Sequence, residues 1–223
     1  MCITKQTMNI LFSLVSVSCY TPNYIKEYWN HPNIHNLGNG WKQALLSPLA
    51  TKVIDVVSYN NEDVRNTIKY NFLSTHEQNV DLCCGTGFST TKNGVGVDTS
   101  NAMISVAKLV HPSKKFYVGN SESFGSDKEY DTSSIFFTLH EVPQNGRIRI
   151  LENALRISKK RILICDISPK KKIPDLMLAG EPYIKEYQYN IHEDLNVFCS
   201  NNKIKLKLIE HIEDRLNIYV LDI

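Results

Sequence analysis

Val80-Asp81-Leu82-Cys83-Cys84-Gly85-Thr86-Gly87-Phe88-Ser89-Thr90 is the stretch on which the reading of this chain turns. A short apolar strand runs straight into a glycine-containing turn, with the acid Asp81 just ahead of it. Glycine has no Cβ, so backbone N–H groups in such a turn can approach a polar ligand at the carboxyl end of a parallel strand. The next element repeats the plan. Gly94-Val95-Gly96-Val97-Asp98 is a second apolar strand ending in an acid, followed by Thr99-Ser100 and a helical run from Asn101 to Val110. An acid at the tip of the second strand of a βαβ unit is placed to accept hydrogen bonds from both ribose hydroxyls, which makes Asp98 the leading binding residue. Ser100 is positioned to cap the helix that follows.

Together with the segments downstream, these residues resemble the class I S-adenosylmethionine-dependent methyltransferases. The family's first motif is commonly written D-x-G-x-G-x-G, and Asp81 to Gly87 is similar to it, with Cys83 at the first glycine position. Relatives with Cys-Cys-Gly-x-Gly at this turn are familiar. Gly96 to Met103 resembles G-x-D-x-S-x-x-M, and Gly119-Asn120-Ser121-Glu122 resembles the third-strand G-D-A-E. Tyr130 to Pro143 matches the fourth strand, and Ala154 to Ile164 resembles A-x-R-V-L-K-P-G-G without its glycine pair. The motifs span residues 78–169 in the family's order.

The resemblance implies an α/β fold: a Rossmann-like seven-stranded methyltransferase sheet, mostly parallel with a C-terminal antiparallel hairpin, and helices on both faces. It implies S-adenosyl-L-methionine as cofactor, held by Asp81, Cys83, Gly85, Thr86, Gly87, Asp98 and Thr99. Asn120, with Ser121 beside it, would meet the adenine amino group, and Phe137 and Thr138 would line the methionine end. A fourth-strand tip in this fold lies beside the methyl group. His140 is then the candidate general base, because imidazole titrates near neutral pH. Glu141 would orient His140 or cap the helix beginning after Pro143. Neither Asn-Pro-Pro-Tyr nor Asp-Pro-Pro-Tyr occurs, which argues against amino methylation of DNA bases.

The end of the chain supports the fold independently. Lys203 to Ile209 alternates and Arg215 to Leu221 is apolar-rich, and the linker Glu210 to Asp214 is too short for a crossover helix, so the pair must be antiparallel. A dinucleotide-binding sheet would stay parallel, and its G-x-G-x-x-G fingerprint needs glycine where Thr90 stands. Ahead of the hairpin, residues 170–200 form an insertion before the sixth strand, read as one helical stretch over Leu176 to Phe198. Tyr183 and Tyr187 are i, i+4 neighbours there and are candidates, with Trp41, for lining a substrate pocket.

Upstream, Leu45, Leu49, Val53, Val56 and Val57, then Val64, Ile68 and Phe72, recur at helical spacing. They predict two helices packing ahead of the first strand. Residues 1–43 divide into a leader and an aromatic-rich arm or lid, and 44–223 form the cofactor-binding domain. Ile10 to Ser18 is an apolar run too short to span a bilayer, read as a leader in preference to a secretion signal. His31 and His35 are separated by Pro32 and are not expected to bind metal.

With 223 residues, 42% apolar and 22% charged, the chain can bury one sizeable core. A net charge of +2 gives no field for gathering nucleic acid, and Lys159-Lys160-Arg161 and Lys170-Lys171-Lys172 read as solvated turns. The six cysteines show no metal-ligand spacing, so no metal is expected and a reduced, cytoplasmic setting fits. The function expected is methyl transfer to an O, N or C atom of a small-molecule acceptor, without nucleic acid or a membrane span. Two other readings are a non-catalytic cofactor-binding or scaffold protein and a nicotinamide-dependent Rossmann oxidoreductase.

Overall fold

The computed structural model describes residues 27–30, 34 and 37–223; the expectations for residues 1–26, His31 and His35 lie outside them. Helices α1 (Trp41–Ser58) and α2 (Val64–Phe72) precede β1 (Asn79–Leu82) and β2 (Val95–Asp98). Then come α3 (Asn101–Val110), β3 (Lys115–Val118), β4 (Tyr130–Phe136), α4 (Gln144–Ile157) and β5 (Ser158–Ile167). The chain ends with α5 (Asp175–Gly180), α6 (Ile184–Asn202), β6 (Lys205–Ile212) and β7 (Leu216–Asp222).

The seven strands form one sheet in the order β3-β2-β1-β4-β5-β7-β6. The first five are parallel, whereas β7 runs antiparallel to both β5 and β6. Strand order reverses between β1 and β4, and such a switch point opens a crevice at the carboxyl ends of the strands. Alternation assigns the two faces. Val80, Leu82, Val97, Ile135, Ile162 and Ile164 pack with α4 and α6, and Phe136, Leu163, Cys165 and Ile218 pack with α2. Phe116 and Cys84 meet Ile104 and Ala107 of α3.

Four local expectations are corrected. The helix that a βαβ unit would place after the glycine turn is absent: residues 83–94 are turns, because Ser89 Oγ and Thr90 Oγ1 donate to Asp81 Oδ2 at 2.8 and 2.7 Å. Hydroxyls that bond backwards in this way compete with helix formation. The helical stretch before β6 is broken at Pro182 into α5 and α6. Lys159 and Lys160 lie in the opening of β5 and not in a turn, and Lys160 pairs with Glu77 and Asp131 at 3.1 and 3.3 Å. In α1 the apolar stripe faces outward: Leu45, Leu49 and Val57 are 64%, 65% and 73% exposed. The residue that α1 buries is Ala44, against Ala102, Met103 and Val106 of α3.

Candidate active site

The glycine turn is a strained piece of backbone held by side chains from four other segments. Cys83, Gly85 and Gly87 have φ of +59°, +51° and +83°, a region where an L side chain crowds its own carbonyl. Gly85 N donates to Asp98 Oδ2 at 2.9 Å, and Asp98 Oδ1 accepts from Ser100 N at 2.9 Å. Cys83 N donates to Ser121 Oγ at 3.1 Å, with Cys83 Sγ 3.2 Å from the same oxygen. From behind, Lys69 Nζ donates to Phe88 O at 2.5 Å and Lys114 Nζ to Gly87 O at 3.0 Å. A Cβ on Gly87 would stand 2.5 Å from the Phe116 ring.

The structure therefore brings Cys83, Gly85, Asp98 and Ser121 together at the switch point and gives Asp81 a different place. Asp81 is 2% exposed and accepts from Ser89, Thr90 and, at 3.2 Å, Ser134 Oγ, so it braces the turn from beneath. Burial raises its carboxyl above the usual carboxylate range, against the three hydroxyl bonds. Thr86 is buried and Thr99 half-buried at the same rim. Asn120 Oδ1 accepts from Glu122 N at 2.9 Å, an Asx turn that fixes the loop after β3. Ser100 caps α3 by accepting from Met103 N, as its position in the sequence predicts.

Across the crevice, Phe137 follows β4 with φ of +54°; its amide donates to Cys165 O at 2.8 Å, and its ring lies 4.3 Å beneath the Arg65 guanidinium. Thr138 is buried, its hydroxyl turned to Phe136 O. The following turn is organised by Asp166 at the end of β5, a residue to which the sequence reading assigned no role. Asp166 Oδ2 accepts from Leu139 N and His140 N at 2.8 and 3.3 Å, and Oδ1 lies 2.5 Å from His140 Nδ1. His140 is buried, and its ring meets Tyr187 edge-on at 6.1 Å. Burial alone would lower the His140 pKa, but the Asp166 carboxylate, with Glu141 and Glu181, outweighs it and holds the imidazole at about 9, above the near-neutral titration on which its choice as a base rested.

The residues named for a substrate pocket divide. Tyr187 is fully buried with its hydroxyl on Ile167 O at 2.7 Å, Tyr183 is buried beside it, and Trp41 is exposed. The arm preceding α1 contributes Tyr28, which donates to Glu122 Oε1 at 2.8 Å and packs on Gly146. Glu122 is clamped from its other side by Arg149 at 2.6 and 2.9 Å. The signal for Asp166 was present, since it repeats the strand-end acid of Asp81 and Asp98, but its partner His140 lies 26 residues away.

No protein-family model matches the chain, and no curated protein does. Solved structures do. A methyltransferase from Aquifex aeolicus described as SAM-dependent is 18% identical with a TM-score of 0.55, over 79% of this chain and 98% of that one. A protein from Thermotoga maritima described as a SAM-dependent methyltransferase, possible histamine N-methyltransferase, is 14% identical with a TM-score of 0.55, over 81% and 97%. Magnesium protoporphyrin IX methyltransferase from Synechocystis PCC 6803, solved with bound SAH, is 13% identical with a TM-score of 0.53, over 78% and 82%. The chain has the class I S-adenosylmethionine-dependent methyltransferase fold. Among the described residues, no helix is long and apolar enough to cross a membrane.

Proposed function

We propose that the protein transfers a methyl group from S-adenosyl-L-methionine to an O, N or C atom of a small-molecule acceptor. The observation that carries this reading is the union of the glycine turn with Asp98 at the switch point, in a sheet closed by an antiparallel β7. Each oxygen of Asp98 already takes one backbone amide, and a carboxylate has lone pairs left for ribose hydroxyls. Asn120 and Ser121 stand where the adenine would lie, Phe137 and Thr138 at the methionine end, and His140, buttressed by Asp166, addresses the acceptor. Alignment of donor and acceptor is the main catalytic effect, reaching about 7–11 kcal/mol in favourable cases. Residues 44–223 are the catalytic body in this reading, with the Tyr28 arm folded onto it. A reduced, cytoplasmic setting goes with it, supported by free thiols at Cys83, Cys84, Cys165 and Cys199.

The first test is thermal unfolding of the full chain with S-adenosylmethionine, S-adenosylhomocysteine or NADH. A ligand at about a hundred times its Kd adds about 2.7 kcal/mol, which is visible as a shift in Tm. Stabilisation by the two adenosyl compounds alone is expected; stabilisation by NADH alone would sink the reading. Once an acceptor is found by screening, His140→Gln should lower turnover about 10²–10⁴-fold while leaving S-adenosylhomocysteine affinity intact. Unchanged turnover would make His140 structural and leave the acceptor to be activated by another group.

A further inference from the structure

We propose that His140, Glu141 and Glu181 form a binding site for a divalent first-row transition cation beside the tip of β4. One ligand atom from each lies within 4.8 Å of the others, and His140 Nε2 stands 3.9 Å from Glu141 Oε1. A cation held at about 2.1 Å by an imidazole nitrogen and carboxylate oxygens needs those atoms roughly 3 to 4.2 Å apart. The His140–Glu141 pair has that spacing already, and about half an ångström of closure brings the widest pair into range.

The groups behind the ligands are in place. Asp166 is fully buried and engages His140 Nδ1, which leaves Nε2 as the ring's ligand atom. A carboxylate behind the imidazole both orients a metal-binding histidine and raises its basicity. Asp166 is itself fixed by three backbone amides, those of Leu139, His140 and Ile167. Charge argues the same way. Asp166, Glu141 and Glu181 converge on one imidazole. Buried carboxylates are kept where a cation or hydrogen bonds balance them, and Glu181 is only 8% exposed.

One nitrogen and two carboxylates suit manganese, iron(II) or zinc better than magnesium, which prefers oxygen ligands and retains its waters. Three protein ligands leave positions for water or for an oxygen of the acceptor. The inference thus deepens the methyl-transfer reading by naming how His140 addresses the acceptor, yet cation binding can be measured without it. Spacing along the chain hides the set, since Glu181 lies 40 residues beyond Glu141.

The test uses the full chain with MnCl2, ZnCl2 or MgCl2 alone. Titration calorimetry should give one Mn²⁺ or Zn²⁺ per chain, bound more tightly than Mg²⁺, and nitrogen hyperfine coupling in the Mn²⁺ spin-echo spectrum should report the imidazole. Glu181→Gln and His140→Gln should each weaken Mn²⁺ by about tenfold or more, and Glu213→Gln in the β6–β7 turn should not. S-adenosylhomocysteine titrated into the same samples reads the cofactor crevice separately. Absence of stoichiometric uptake of every cation, or equal Mn²⁺ affinity in wild type and Glu181→Gln, overturns the site. Mn²⁺ binding without S-adenosylhomocysteine binding would instead overturn the methyl-transfer reading and leave the cation site standing.

Discussion

The amide of Gly85 donates to Oδ2 of Asp98 at 2.9 Å, so the glycine turn after β1 and the acid ending β2 are one unit. Losing the carboxylate removes the acceptor of two backbone amides, Gly85 N and Ser100 N, as well as the proposed ribose contact. Asp98→Ala should destabilise the free protein by about 1–3 kcal/mol in urea unfolding, because hydrogen bonds to charged groups are the costlier ones to lose. Calorimetry should show S-adenosylhomocysteine affinity falling about tenfold or more. A variant that loses stability but keeps that affinity would assign Asp98 to the turn alone.

Cys83 stands in the left-handed region where the resembled family has glycine. A Cβ there costs about 1–2 kcal/mol, and the contact of its sulfur with Ser121 Oγ offsets part of that. Cys83→Gly should therefore be at least as stable as wild type. Cys83→Ala should fall below Cys83→Gly by about 1 kcal/mol, and Cys83→Val lower still. Urea midpoints rank the three; an alanine variant as stable as the glycine variant would show that the turn is unstrained.

Tyr28 and Gly146 fit ring against backbone. A Cβ on Gly146 would stand 2.9 Å from the Tyr28 ring, so Gly146→Ala should push the ring off α4 and break its hydrogen bond to Glu122. The expected cost is about 1–3 kcal/mol, with faster limited proteolysis in residues 27–40. In a Tyr28→Ala background the same substitution should cost much less, and a double-mutant cycle with no coupling would refute the fit.

His111 follows the last turn of α3, edge-on to Phe88 at 4.9 Å, and its Nε2 has no hydrogen-bond partner among the described residues. Burial, then the nearby charges of Lys114 and Lys69, lower its pKa to about 4 from 6.5. The unfolded chain binds a proton at this site below about pH 6.5 that the folded chain refuses until about pH 4. This contribution to stability is therefore complete above pH 6.5 and lost as pH falls toward 4. Denaturant unfolding from pH 7.5 to 4.5 should show a shallower acid decline for His111→Gln than for wild type. Parallel declines would remove His111 from the account.

Much of this was legible before folding because it is local. Strand β2, the Ser100 cap and the closing hairpin follow from short-range patterning, capping chemistry and linker length. The missing crossover helix was not legible: it depends on where the Ser89 and Thr90 hydroxyls point, and Asp81 captures both only once β1 is in the sheet. The outward apolar stripe of α1 was hidden for a related reason, since periodicity shows that a face exists and not which neighbour it meets.

The sequence by itself determined the order of elements, the glycine turn with its strand-end acids, and the antiparallel ending, because each is written in residues close together along the chain. Tertiary structure alone decided the partnerships. It sends Asp81 beneath the turn and Asp98 onto it, and it sets Asp166 behind His140. Glu181 reaches His140 and Glu141 from the segment between α5 and α6. Parallel strands end side by side whatever their separation in sequence, so residues far apart in the chain meet at one edge of the sheet, and only the packed sheet shows which carboxylate serves which partner.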